Sequence, residues 1–294
     1  MIIKTTKLSC FDQKVLFEVV QNQHAILMPI GDIHYGVQDF PTNKLKTNIK
    51  WALDRGCIFL GMGDYFDFAS STQRSIMRSL REATAQQIDD ATRTEADKLY
   101  EEILEPTKGR WLGLLEGNHR WTFQDATTVD QYLCSLLGCD FLGTSATIRV
   151  HLDKAPKGHY EADTVIFAHH GIGSSRKIGG HLNRVEDLLA WIDADIYLMG
   201  HSHAKIFAPL DFQYITPDGV HTHRTKLIAR TGSWYKGYAS KGPLPLTTAA
   251  YMSRGTYIEQ QAYMPTAMGS PCFGMGFEQI VGSKYYKPAI HGAM

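Results

Sequence analysis

The 294-residue chain lacks a net charge: 30 Lys and Arg stand against 30 Asp and Glu. A strong electrostatic drive towards nucleic acid or an anionic membrane is therefore absent, while a local basic patch stays open. Paired cysteines are also missing. The five Cys (Cys10, Cys57, Cys134, Cys139 and Cys272) are an odd number and contain no C-x-x-C pair, which argues against a disulfide framework and for a reducing compartment. Met1 is not followed by the apolar core of a signal segment. No apolar run approaches the ~20 residues that span a bilayer. Repeats, low-complexity tracts and obvious linkers are absent as well. The expectation is a cytoplasmic protein with no membrane partner. Hydrophobic residues make up 44% and charged residues 20%, enough apolar material for a full core and too little charge for wholesale disorder.

What is abundant is histidine, with 13 residues. Histidine is the commonest metal ligand and the usual acid–base group near neutral pH. The first half of the chain alternates strand-like and helix-like segments. Ala25–Ile30 is an apolar run ending at Gly31. Thr42 caps a helix to about Asp54, with Leu45, Ile49, Ala52 and Leu53 on one face, and Cys57–Met62 is a second apolar run ending at Gly63. Together they form a βαβ unit, which implies parallel strands. A polar helical stretch follows from Thr72 to Leu104, closed by Pro106. It is either a surface helix pair or a cap over a site. Trp111–Leu115 is a third strand, followed by a helix over Thr128–Leu137. The second half is richer in strands: Thr147–Leu152, Thr164–Ala168, Ile196–Met199, Lys205–Phe212, Thr222–Arg230 and Gly255–Tyr263, with one helix over Leu182–Trp191. Asp218-Gly219 between two alternating segments signals a hairpin.

Five apolar strands end in turns that carry Asp, Asn or His. They read Gly31-Asp32-Ile33-His34, Gly63-Asp64-Tyr65-Phe66-Asp67, Gly117-Asn118-His119, His169-His170-Gly171 and Gly200-His201-Ser202-His203. Ligands of open α/β sheets bind beyond the carboxyl ends of the strands, so polar residues placed there repeatedly converge on one rim. Carboxylate, imidazole and amide oxygen together suit a divalent metal such as Mn, Fe or Zn. No thiolate takes part, so a cysteine-type structural zinc site is not implied.

In residue type and order these blocks resemble the calcineurin-like metallophosphoesterase superfamily, whose motifs run D-x-H, G-D-x-x-D, G-N-H, H and G-H-x-H. Thr231-Gly232-Ser233 resembles the Gly-Ser strand that follows them. The resemblance implies an α/β fold, a four-layer α/β/β/α sandwich of two mixed sheets flanked by helices. Residues 1–240 would form the metallophosphoesterase domain, with a helical insertion at about 72–105. Residues 241–294 would add an accessory strand and loop segment packed on the same domain. Two divalent metal ions are implied as cofactors. Asp32, His34 and His203 would hold one, Asn118, His169 and His201 the other, and Asp64 would bridge them. His119 would donate a proton to the leaving oxygen and Asp67 would orient it, with a metal-bridging hydroxide as nucleophile. His169 is selected over His170 as the first residue past its strand, which leaves His170 beside the site as a substrate contact.

The chain departs from the protein Ser/Thr phosphatases of that superfamily, because Phe68 stands where they carry Arg and Arg120 where they carry Glu. A protein phosphatase is disfavoured. Arg120 either brings positive charge to the site or points to solvent. The glycine-rich loop after His170, with Arg176 and Lys177, is either an anion-gripping loop or a plain surface loop. Tyr35 and Trp234 are the aromatic candidates for substrate contact. Arg224, Lys226, Arg230, Lys236 and Lys241 offer charge to a nucleic-acid backbone, with strand alternation dividing them between two faces. The expected partner is a phosphate-ester substrate, a nucleotide or nucleic acid among the options. A complete D-x-H block accompanies diesterase ability in the superfamily, so a phosphodiesterase or nuclease-like enzyme is favoured. The alternatives are a small-molecule phosphomonoesterase and an inactive binding scaffold with the same fold.

Overall fold

A computed structural model describes residues 2–7, 12–18, 24–36, 40–68, 82–152, 162–173, 175, 177–215, 218–234, 267–279 and 286–294. Its strands are β1 (Ile2–Lys7), β2 (Asp12–Glu18), β3 (Ala25–Ile30), β4 (Ile58–Gly61), β5 (Trp111–Leu115), β6 (Phe141–Gly143), β7 (Ser145–Leu152), β8 (Ala162–His169), β9 (Ile196–Met199), β10 (Lys205–Ile215), β11 (His221–Thr231), β12 (Cys272–Gln279) and β13 (Tyr286–Ala293). Its α-helices are α1 (Thr42–Asp54), α2 (Glu82–Leu99), α3 (Val129–Leu137) and α4 (Ile178–Glu186).

Alternation along the strands builds the layers, because successive side chains point to opposite faces of a sheet. Strands buried on both faces read as continuous apolar runs, as β3, β4, β5 and β9 do. Ala25, Leu27, Ile58, Leu60 and Leu112 enter a core shared with Ile148, Val150, Ile166, Ala168, Ile196, Leu198, Leu227 and Ala229 of the other sheet. Met28, Ile30, Phe59, Trp111 and Leu114 face the opposite way and pack with Leu45 and Ile49 of α1 and Leu133 and Leu137 of α3. Tyr197, Met199 and Ile228 pack on the far side with Val185 and Leu188. Three cores thus separate four layers: helices, a six-stranded sheet, a seven-stranded sheet and α4.

The six-stranded sheet runs β13-β12-β3-β4-β5-β6, and the seven-stranded sheet β1-β2-β7-β8-β9-β11-β10. Both are mixed. β3 to β6 are parallel, with β12 antiparallel to β3. β9 is parallel to both β8 and β11, whereas β7–β8 and β10–β11 are antiparallel. β3, α1 and β4 form the expected parallel unit, and the hairpin at Asp218-Gly219 joins β10 to β11.

Some elements differ from expectation. The N-cap of α1 is Pro41, and Thr42 is already helical. Within the described residues α2 covers Glu82–Leu99 and continues through a π-helical turn, Tyr100–Leu104, into a 3-10 turn, Glu105–Thr107, that contains Pro106. Residues 69–81 and the strand expected at Gly255–Tyr263 lie outside the described residues. β1, β2 and β6 carried no recognised signal: β1 and β2 mix polar and apolar residues, and β6 is a three-residue edge strand. No helix among the described residues is long and apolar enough to cross a membrane.

Candidate metal centre at the strand ends

Every block named above sits on a turn at the carboxyl end of its strand. Parallel pairing aligns these ends within each sheet, and stacking of the sheets brings the two sets together. The turns are laced by backbone bonds: Asp32 N–H donates to Gly63 O at 2.9 Å, His34 N–H to Asp64 O at 3.1 Å and Tyr35 N–H to Tyr65 O at 2.9 Å. Ser233 Oγ and the Trp234 N–H both donate to Asp32 O, at 2.8 and 3.0 Å, so the Thr231-Gly232-Ser233 segment holds the first turn in place. Among the described residues six non-glycine residues have positive φ, and five of them are Asp32, His34, Asp64, His201 and His203. Left-handed backbone costs an L-residue about 1 kcal/mol or more. Its concentration here marks a place where side-chain direction outweighs backbone comfort.

Three groups of ligand atoms form, the third being His34, Asp67 and His119 at the edge of the site. Asp32, His34 and His203 offer one atom each within 4.8 Å of one another. The Nε2 atoms of His34 and His203 are 3.1 Å apart, and His203 Nε2 is 3.5 Å from Asp32 Oδ1. The second group unites Asp64, His170 and His201 within the same limit. Asn118 Oδ1 sits between them, 2.9 Å from His170 Nε2 and 2.8 Å from His201 Nδ1. Asp64 Oδ2 lies 3.3 Å from His170 Nε2.

His169, the residue selected from sequence, stands outside this group, and His170 takes its place. β8 extends through His169, and its even-numbered residues Ile166 and Ala168 face the core between the sheets. Val165 and Phe167 face the α4 side. Period two carries His170 to the inter-sheet face, where its Nδ1 also meets Met62 O at 2.7 Å. His169 falls on the other face and its Nδ1 accepts from the Gly171 N–H at 2.7 Å.

His119 and Asp67 pair at the edge of the site. His119 Nδ1 is 2.6 Å from Asp67 Oδ1, the His119 N–H donates to Asp64 Oδ1 at 2.8 Å, and the His119 ring meets that of His34 edge-on at 5.0 Å. Arg120 is tied to its own turn. It donates to Gly117 O at 2.9 Å and pairs with Glu116 at 2.9 Å, so it points neither to open solvent nor singly into the site. Tyr35 packs on Phe40, and burial, followed by the charges of Glu102 and Glu95, pushes its hydroxyl up to about 12. An aromatic ring set among carboxylates does not suit contact with an anionic substrate. Trp234 is fully buried in the core under the helices, which removes it as a substrate contact. Arg176 lies outside the described residues. Of the five basic residues, Lys236 and Lys241 lie outside the described residues, while Arg224, Lys226 and Arg230 share one parity of β11 rather than two faces. Lys226 and Arg230 are buried, and both Arg224 and Lys226 pair with Asp193.

One contributor had no motif to announce it. Asp130, buried in the first turn of α3, accepts the Gly117 N–H at 3.0 Å through Oδ2, and burial pushes its carboxyl up to about 7. In sequence it reads as an ordinary acidic residue at a helix start. Gly117 itself must be glycine, since a Cβ there would collide with the backbone N and Oδ1 of Asp64.

The electrostatics fit a cation. Burial pushes the Asp32 carboxyl up to about 7 against the pull of His170. It lowers His34, holds His203 well below the usual imidazole range and brings His201 down to about 4. These imidazoles are therefore neutral, each with one nitrogen able to act as a ligand, and Asp32 Oδ1, fully buried, has no hydrogen-bond partner. Asp64 and His170 behave as an ion pair. Burial opposes both charges, but their mutual contact holds the Asp64 carboxyl low and lifts His170 to about 9. A metal on His170 would displace that proton, as metal ligation generally does.

Fold and site together define a two-sheet sandwich with mixed carboxylate, imidazole and amide ligands at its rim. No family model matches the chain, and no curated protein matches it. Two solved structures are similar over most of their length. One is vacuolar protein sorting 29 from Cryptosporidium parvum, at 11% identity over 92% of this chain and 98% of that one, with a TM-score of 0.34. The other is a conserved uncharacterised protein from Streptococcus pneumoniae TIGR4, described as a predicted phosphoesterase, at 11% identity over 91% of this chain and 88% of that one, with a TM-score of 0.32. At such values the functional reading rests on the site's own geometry.

Proposed function

We propose that the chain is a hydrolase of phosphate esters that works with two divalent cations, and that its substrate is a phosphodiester. The observation that carries this reading is Asp32, a buried carboxylate whose Oδ1 has no hydrogen-bond partner and which lies against two imidazoles that burial keeps neutral. Asp32, His34 and His203 would hold one ion. Asn118, His170 and His201 would hold the other, with Asp64 serving both. Mn, Fe or Zn suits such a mixed set. Two bound ions would acidify a coordinated water and neutralise phosphoryl oxygens.

The chain's own residues supply the rest. His119 keeps one ring nitrogen on Asp67 and presents the other to the leaving oxygen. Burial opposes its charge, but the Asp67 bond and the Asp64 charge raise its pKa, which favours the proton-carrying form that a general acid needs. Its N–H bond to Asp64 ties the proton donor and the ligands to one frame. The diester preference rests on the complete Asp32-x-His34 block and on the edge contact of His34 with His119.

The test is metal-stripped protein reloaded with Mn²⁺ and assayed on p-nitrophenyl phosphate, bis-p-nitrophenyl phosphate and single-stranded DNA, beside His34→Asn and Asp64→Asn. Turnover of the diester or of DNA that both variants abolish is expected. Turnover of the monoester alone would replace the diester reading. Two bound ions with no turnover of any substrate would overturn the hydrolase reading in favour of a scaffold.

A further inference from the structure

Arg230 is 1% exposed, the second-largest fully buried side chain after Trp234. Its two hydrogen bonds go to carbonyl oxygens rather than to a carboxylate: Nη1 donates to Gly200 O and Nε to His181 O, each at 2.8 Å. A buried guanidinium served by neutral acceptors is costly to keep, which asks for a reason beyond packing.

The reason lies in the peptide between Gly200 and His201. Its C=O points at Arg230, and its N–H donates to Asp32 Oδ2 at 2.9 Å. In a trans peptide these two groups point in opposite directions, so the bond to Arg230 fixes the direction of the bond to Asp32. The Ser202 N–H, from within the same turn, also donates to Gly200 O at 2.8 Å, so Arg230 supplies the anchor that comes from outside the turn. Gly200 leaves the peptide free to turn. His201 has φ 67, and rotating this peptide by half a turn would return it to the ordinary region. The relaxed peptide would aim a carbonyl oxygen at the Asp32 carboxylate. Gly200 has no room for a stiffer residue, since a Cβ would lie 3.0 Å from Asp32 Oδ2 and 3.0 Å from His170 O.

We infer that Arg230 is a positioning residue that locks the 200–201 peptide, and through it holds Asp32 and His201 in the geometry that binds cations. It acts on one ligand from each half of the site. Its second bond, to His181 O, anchors the lock to α4. The inference rests on the metal reading above.

The test is Arg230→Met, which keeps the volume and removes the donors, and Arg230→Lys, which keeps one donor. Mn²⁺ affinity by calorimetry, ion count by elemental analysis and the melting temperature of the metal-free protein are measured together. R230M is expected to melt close to wild type yet bind Mn²⁺ at least tenfold more weakly, with R230K between the two. Wild-type affinity and ion count in folded R230M would overturn the inference. If R230M does not fold, R230K decides: intermediate affinity supports the lock, and unchanged affinity overturns it. A wild-type protein that binds no Mn²⁺ would remove the function reading and this inference together. Loss of turnover with metal binding intact in wild type would remove only the former.

Discussion

Asp67 and His119 depend on each other. The His119 bond depresses the Asp67 carboxyl, and the Asp67 bond together with the Asp64 charge outweighs burial and lifts the His119 imidazole. The raised histidine contributes stability that is complete below its unfolded value near 6.5 and is lost as pH rises through its folded value. The depressed aspartate contributes stability that is complete above 3.8 and is lost as pH falls through its folded value. The pair therefore helps most in the weakly acidic to neutral range, by an amount that solvent screening keeps small at this exposed edge. Its larger effect is on catalysis. Asp67→Asn should move the alkaline limb of the pH–rate profile to lower pH. It should also slow an alkyl ester at pH 8 by roughly 10²-fold, and slow a p-nitrophenyl ester much less, because that leaving group needs no proton. An unmoved limb would show that Asp67 does not govern the proton on His119.

α2 braces the loop that leaves His119. Asp89 accepts Trp121 Nε1–H at 2.6 Å and the Gln124 N–H at 3.0 Å. One turn further on, Arg93 lies 3.9 Å over the Phe123 ring and pairs with Asp125 at 3.3 Å. Asp97 then accepts Tyr132 O–H at 2.8 Å. These residues, spaced four apart, form one helix face that grips residues 121–132, while the Thr128–Gln131 capping box starts α3. Asp89→Ala leaves a buried indole N–H and a backbone N–H without acceptors, which should cost about 1–3 kcal/mol. A urea melt measures this, and turnover should fall with it as the loop slackens. A melt within error of wild type would mean that the loop is held without α2. The Thr72–Leu104 periodicity announced a helix here, but not its role, because acceptor and donor are more than thirty residues apart in sequence.

The chain closes on itself late. β12 runs antiparallel to β3 and sets Phe273, fully buried, against Phe207 in the core between the sheets. The strand that carries Asp32 into the site is thus paired on one side by β4 and on the other by residues some 250 positions away. Phe273→Ala should destabilise the whole fold by about 3–5 kcal/mol and weaken Mn²⁺ binding as well, read as a lower melting temperature with and without metal. A drop confined to the C-terminal strands, seen as local hydrogen exchange with the site intact, would show that β12 is peripheral.

The sequence by itself determined the strand–turn blocks, their order and the chemistry they offer. Glycine-bounded turns after apolar runs are local signals, and donor type is written in the residue. The central strands were legible for the same reason, since a run buried on both faces is apolar throughout. Only the tertiary structure decided which member of an adjacent pair turns inward. The alternation that separates His169 from His170 was in the sequence, but the face that became the inter-sheet core was not. Nor could the sequence distinguish Arg230 from a surface cation or Asp130 from a helix-start charge. Burial is set by what packs over a residue, and the α4 carbonyl and the Gly117 amide that these two meet come from distant parts of the chain.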